Sequence, residues 1–203
     1  MFGSIPPVTL AVIAASAGMF LLQQAADPLL QRLFALWPLG PWFAPWQVVT
    51  YAFLHGSFVH LFFNMFALYM FGRELEDYWG SRRYAVFFFA SVLAAAVAQL
   101  TVTYLTRSMY PTIGASGGVF GLLLAFAMYF PHQRIMLLFP PIPMPAWLFV
   151  TLYGILELVF GVTGTQEGVA HFAHLGGMVG GALVIAYWRA GGGGGRRYYR
   201  RRF

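Results

Sequence analysis

The sequence predicts an all-α polytopic membrane protein with six spanning helices, and three observations carry that expectation. Of the 203 residues, 60% are hydrophobic and only 9% charged, whereas a soluble domain holds about a quarter charged; such a chain cannot cover a water-facing surface. Six apolar segments reach or approach the roughly 20 residues that cross a bilayer as a helix, at about 8–26, 58–75, 84–105, 116–130, 145–162 and 169–188. The basic residues, all arginine, fall unevenly between the connections. Cysteine is absent, which excludes disulfides, thiolate metal sites and a cysteine nucleophile together.

The first segment contains Ala14-Ala15-Ser16-Ala17, which looks like a signal cleavage site. No basic residue precedes it and the apolar run is long, so it is expected to be an uncleaved helix. In the long connection that follows, Asp27-Pro28 reads as a helix start, an acidic N-cap followed by proline. Leu29, Leu33, Phe34 and Trp37 then recur at helical spacing, and Pro38, Pro41 and Pro45 break the chain. Tryptophan favours the membrane interface, so Trp37, Trp42 and Trp46 predict a loop half-embedded on the outer surface.

The second segment carries His60 and Asn64 at i and i+4, on one face. Arg73-Glu74-Leu75-Glu76-Asp77 and Arg82-Arg83 then read as a charged, solvated inner turn. The fourth segment is short. A helix beginning below the membrane surface would show its first N–H groups to a cavity; the alternative is a short span with a locally thinned bilayer. From Pro131 to Pro145, prolines 140, 141 and 143 prevent a helix.

After residue 190, Gly191 to Gly195 form a linker by composition. Arg196, Arg197, Arg200, Arg201 and Arg202 follow and would attract anionic lipid headgroups at about 1 kcal/mol each; a tail beside a membrane favours lipid over nucleic acid. Residues 1–190 are thus expected to form one membrane domain and 191–203 a flexible Gly/Arg-rich cytoplasmic tail. With both termini in the cytoplasm, only Arg32 and Arg107 fall outside, which satisfies the positive-inside rule. No internal repeat appears.

Ser116 lies in Gly114-Ala115-Ser116-Gly117-Gly118, at the head of the fourth segment, and His174 in Ala173-His174-Leu175-Gly176-Gly177, in the sixth. Polar groups at membrane depth usually face a cavity and mark function. The serine motif also fits the G-x-S-x-G of soluble hydrolases, but no strand precedes it, so that fold is rejected. At a helix N-terminus the serine lies beside free N–H groups and the positive dipole end, which can stabilise an oxyanion. The same residues read equally as a Gly117/Gly121 packing face with Ser116 as a cap. His174, Gly177 and Gly181 share one helix face; set against Gly117 and Gly121, that face would bring the imidazole to the hydroxyl as a serine–histidine pair.

No acid lies in the sixth segment, so a dyad is expected rather than a triad; of the six acids only Glu157 lies well inside an apolar stretch. His60 and Asn64 read either as oxyanion donors or as interhelical glue. His55 is expected to point elsewhere and His171 to lie near the outer surface. A zinc site is set aside, because H-E-x-x-H is absent and no carboxylate is expected beside the histidines. No metal and no cofactor are expected.

His60-x-x-x-Asn64, Gly114-Ala115-Ser116-Gly117 and Ala173-His174-Leu175-Gly176-Gly177, in that order on the second, fourth and sixth helices, resemble the rhomboid intramembrane serine proteases. The resemblance covers essentially the whole chain. It implies a six-span rhomboid-like bundle in a cell membrane, in bacteria the inner one, acting on single-span or polytopic membrane-protein substrates. It implies Ser116 as nucleophile, His174 as general base and acid, and His60, Asn64 and the Ser116 N–H as the oxyanion site. Gly114, Gly117, Phe120, Gly177 and Gly181 would support the site, with His55 and Glu76 structural. Two residues depart from the family pattern: Trp46-Gln47 stands where many members have Trp-Arg, and Phe120 where many bacterial members have a tyrosine stacked on the imidazole. Substrate would enter past the fifth helix, by Trp147, Phe149 and Tyr153. A rhomboid-like protein that binds membrane helices without cutting them is the alternative; a transporter would show a repeat of spans.

Overall fold

A computed structural model describes residues 4–136, 141–164 and 170–192. The arginine-rich tail lies outside these residues, as does Pro140.

The chain is mostly helical. Helix α1 (Pro7–Phe34) starts with proline in its first turn and is broken at Ala26, whose φ of −144° and ψ of 33° are not helical. The helix start expected at Asp27-Pro28 is therefore a kink inside one element. Asp27 accepts hydrogen bonds from Gln23 and Gln31 side chains, one turn to either side, rather than capping backbone N–H groups.

A short helix α2 (Gln47–Thr50) runs into a 3₁₀ turn (Tyr51–Phe53), and the chain then bends by 100° into the second segment. That segment is helix α3 (Phe58–Ala67), a π-turn at Leu68–Gly72, and helix α4 (Arg73–Trp79). Ser57 starts α3 by accepting the His60 N–H. The solvated turn expected at Arg73–Asp77 is instead helix α4, with Leu75 and Glu76 buried. The physical reason is Glu76, whose carboxylate accepts from the Val8 and Thr9 N–H groups, the Thr9 hydroxyl and the Ser81 hydroxyl. It thereby satisfies the orphan donors at the start of α1.

Gly80, with φ of +80°, turns the chain into α5 (Ser81–Thr106). Helix α6 (Ser116–Tyr129) follows, then strands β1 (Arg134–Met136) and β2 (Pro143–Pro145), paired antiparallel. Pro141 and Pro143 lie in non-helical chain as expected, but the short sheet has no signature in the sequence. Helices α7 (Ala146–Thr163) and α8 (His171–Tyr187) complete the fold.

By length and apolar character α1, α5 and α7 can cross a membrane, and a fourth span results if α2 and α3–α4 count as one bent element; α6 is a shorter apolar helix. The expected six spans are not reached by that measure alone, because α6 and α8, at 14 and 17 residues, are shorter than a full span.

The centre of the molecule is α5, α6 and α8. Helix α8 presents two glycine faces. A Cβ at Gly177 would collide with the Gly117 carbonyl oxygen, and one at Gly181 would meet Phe87 and Gly121. One step around the helix, Gly176 and Gly180 lie against Ala98 and Ala94 of α5. Only glycine permits backbones this close. The α6-facing stripe matches the sequence expectation; the α5-facing one was not anticipated.

Candidate active site

Three tethers fix the loop that leads into α6. Leu36 and Thr112 exchange backbone hydrogen bonds at 2.9 Å. The Gly114 N–H donates to the Tyr51 carbonyl, and the Tyr51 hydroxyl, fully buried, donates to the Val92 carbonyl in α5. Gly114 has φ of +121°, and a Cβ there would stand 2.7 Å from the His60 ring. Conformation and space both require glycine at this position. Ser116 then occupies the first turn of α6, where backbone N–H groups have no partner within the helix.

The glycine contacts between α6 and α8 set the register that brings Ser116 and His174 together. Ser116 Oγ is 2.8 Å from His174 Nε2. Phe120 stacks on the His174 ring, with centroids 4.3 Å apart and planes 7° from parallel, so phenylalanine supplies the stacking face.

Ser116, His174, His60, Asn64 and Phe120 line a cavity of about 860 Å³ that continues between α3 and α6 toward Glu74 and Arg134. That volume lies within the usual range for binding sites. Asn64 is buried and gives one amide hydrogen to the His60 carbonyl; its amide carries a second. Phe149 and Tyr153 also line the cavity, whereas Trp147 is exposed and away from it.

Four sequence expectations change here. His55 does not point elsewhere: its buried ring meets His60 edge-on at 5.1 Å. His171 is buried rather than near the surface, and its Nδ1 lies 2.7 Å from Glu157 Oε2. A carboxylate does stand beside the histidines, because the same Glu157 oxygen lies 2.8 Å from His174 Nδ1. The imidazole expected in a dyad thus has an acid against it, contributed by α7 rather than by its own helix. Glu157 was already marked in the sequence as the one acid within an apolar run, a placement that usually signals function; its partners were not legible, because they depend on how α7 meets α8.

Gln47, which stands in place of the family arginine, is buried and accepts from the Trp37 and Ala44 N–H groups while donating to the Arg32, Leu33 and Trp42 carbonyls. One neutral amide therefore holds the first loop.

Glu157, His171 and His174 bring three ligand-type atoms within 4.8 Å of one another. The 2.7 and 2.8 Å separations are those of hydrogen bonds. Tetrahedral zinc, with ligands at 2.0–2.2 Å, would hold such atoms roughly 3.3 Å apart. Two hydrogen bonds to Glu157 Oε2 hold the trio together.

The rhomboid domain model matches residues 43–190. The chain belongs to the rhomboid family. It is 33% identical over 139 residues to Rhomboid protein 1, mitochondrial, of Saccharomyces cerevisiae, covering 68% of this chain and 40% of that protein. It is 29% identical over 174 residues to Rhomboid protease AarA of Providencia stuartii, covering 77% and 59%. It is also 29% identical over 147 residues to Rhomboid protease GluP of Bacillus subtilis, covering 72% and 26%. The chain thus spans less than two thirds of the length of these relatives. With its apolar helices, this rhomboid is an integral membrane protein, in a family that includes proteases.

Proposed function

We propose that this rhomboid is an intramembrane serine endopeptidase that hydrolyses peptide bonds in or near the transmembrane helices of membrane-protein substrates. The observation that carries the reading is the 2.8 Å contact between Ser116 Oγ and His174 Nε2 at the wall of the cavity. An acceptor nitrogen at that distance takes the hydroxyl proton as Oγ attacks a carbonyl carbon. The carbonyl electrons move to oxygen, and the Ser116 N–H, the His60 ring and the second Asn64 amide hydrogen receive that charge. The C–N bond then breaks, and the imidazolium gives its proton to the leaving amine. Water, activated by the same imidazole, releases the acyl group and restores Ser116.

A helical substrate hides its carbonyls in its own hydrogen bonds, so the segment to be cut must unwind. Phe149 and Tyr153 offer an apolar wall for the unwound stretch, and entry past α7 suits that helix, most of which is exposed. In this reading the six apolar segments are six spans and both termini are cytoplasmic, so the Ser116 end of α6 faces outward. In a bacterium the membrane is the inner one.

The test is cleavage of a fluorogenic single-span substrate in proteoliposomes. Ser116→Ala is expected to abolish cleavage and leave the melting midpoint unchanged; full activity in that variant would refute the assignment. A protein that only grips membrane helices would cut nothing as wild type. Asn64→Ala is expected to raise the barrier by about 2.7–4 kcal/mol, the usual loss for one oxyanion donor, and this would appear in kcat rather than KM.

A further inference from the structure

Glu157 is unexplained by a serine and a histidine acting alone. Of the eighteen residues of α7, the buried ones are Ala146, Val150 and Glu157. The first two are apolar and lie in the first half of the helix. In the second half, the buried side chain is therefore a carboxylate. An acid at membrane depth is costly unless its oxygens are bonded, and Oε2 is bonded twice, to the Nδ1 atoms of His171 and His174.

We infer that Glu157 is a positioning residue for the hydrolysis proposed above, with His171 as its brace. The argument is one of tautomers. A carboxylate oxygen only accepts, so a ring nitrogen against it carries the hydrogen. With the hydrogen on Nδ1, the lone pair of neutral His174 lies on Nε2, the atom facing Ser116 Oγ. The same contact holds the ring plane, which Phe120 supports from one face. When Nε2 takes the serine proton, the ring becomes a cation 2.8 Å from Glu157, and the carboxylate stabilises it without taking the Nδ1 proton. The proton passes from Oγ to Nε2 and later to the leaving amine, so Glu157 gains and loses nothing. His171 donates its own Nδ1–H to the same oxygen, fixing the carboxylate in the orientation His174 needs. The inference rests on the serine–histidine reading but adds a residue to it from a third helix.

The experiment compares wild type, Ser116→Ala, Glu157→Gln and His171→Gln as full chains in proteoliposomes, measuring kcat, KM, melting midpoint and the rate of phosphonate reaction at Ser116. An amide keeps the size of Glu157 but removes the negative charge that stabilises the imidazolium, and where its N–H faces His174 it disfavours the productive tautomer. Glu157→Gln is expected to lower kcat and the phosphonate rate by at least about 100-fold, as loss of the orienting acid does in serine hydrolases, with KM changed less than about twofold because the cavity wall is intact. His171→Gln leaves the Glu157–His174 bond in place and is expected to cost about tenfold, the low end of the range for an outer partner.

Wild-type kcat in Glu157→Gln would overturn the inference. So would a loss fully explained by a smaller folded fraction, with normal phosphonate reaction on the protein that remains. Loss of wild-type activity on treatment with a chelator would overturn it in favour of a bound metal. If Glu157→Gln is too poorly folded to assay, a normal phosphonate rate in His171→Gln together with an unaltered kcat counts against the network. A dead Ser116→Ala beside a fully active Glu157→Gln would remove this inference and leave the proposed protease intact.

Discussion

The seam between α6 and α8 and the flank formed by α7 are built by opposite means. At the seam, backbones touch: Gly177 lies against the Gly117 carbonyl and Gly181 against Gly121, so the relative position of Ser116 and His174 is set by backbone packing with little side-chain freedom. On the flank, α7 has three buried residues and shows Trp147, Leu152, Ile155, Leu156, Leu158, Val159 and Val162 outward. A pair that exchanges a proton requires placement to a fraction of an ångström, whereas a wall that admits another helix must yield. Close backbone packing is concentrated at the helices that carry Ser116 and His174, whereas α7, apart from the Glu157 contact, is lightly packed.

The difference can be probed by single substitutions. The largest effect is expected at the seam. Gly177→Ala drives a methyl group into a backbone oxygen that cannot rotate away, and overpacking of this kind costs typically about 1–3 kcal/mol. The melting midpoint should fall, and cleavage should fall further than the folded fraction does, because the serine and the imidazole are pushed apart. A Gly177→Ala protein with wild-type stability and activity would show that the seam is not rigid.

Phe120 is where the two regions meet. It stacks on His174 on one side and touches Tyr153 of α7 at 5.0 Å. Phe120→Ala should lower kcat by roughly two- to tenfold, the equivalent of an aromatic contact worth about 0.5–1.5 kcal/mol. Phe120→Tyr, which keeps the ring, should remain close to wild type. An equal loss in both variants would mean that stacking is not what Phe120 contributes.

The smallest effect is expected on the outer face of α7. Ile155 is exposed, so Ile155→Ala should change stability by no more than about 0.5 kcal/mol and leave kcat unaltered. A large loss of stability there would make the flank as tightly built as the seam.

What could be read from the chain follows the same division. Ser116, His174 and the Gly177/Gly181 face were legible because glycine spacing records backbone contact directly. Phe120 was legible only through the resemblance to the rhomboid family, many of whose bacterial members have an aromatic residue there. Glu157 was visible as an isolated acid, but its attachment to two histidines is a tertiary fact, set by how an otherwise lightly packed helix docks. Glu76 was similar: its sequence neighbours are charged and look solvated, yet the start of α1 returns to it with three donors and Ser81 adds a fourth. The 28-residue helix through Pro28 was misread as two elements, because proline is tolerated where Ala26 has already left helical geometry. Gln47 shows a limit of family patterns, since a neutral amide makes five contacts at the position where a charge is usual.

The most direct measurement is the site of covalent modification by a fluorophosphonate, mapped by mass spectrometry on the wild-type protein and on His174→Ala in lipid. The serine–histidine pair predicts a single adduct on Ser116, formed in step with loss of cleavage, and almost none in the histidine variant. Complete loss of cleavage with Ser116 unmodified, or equal modification with and without His174, would contradict it.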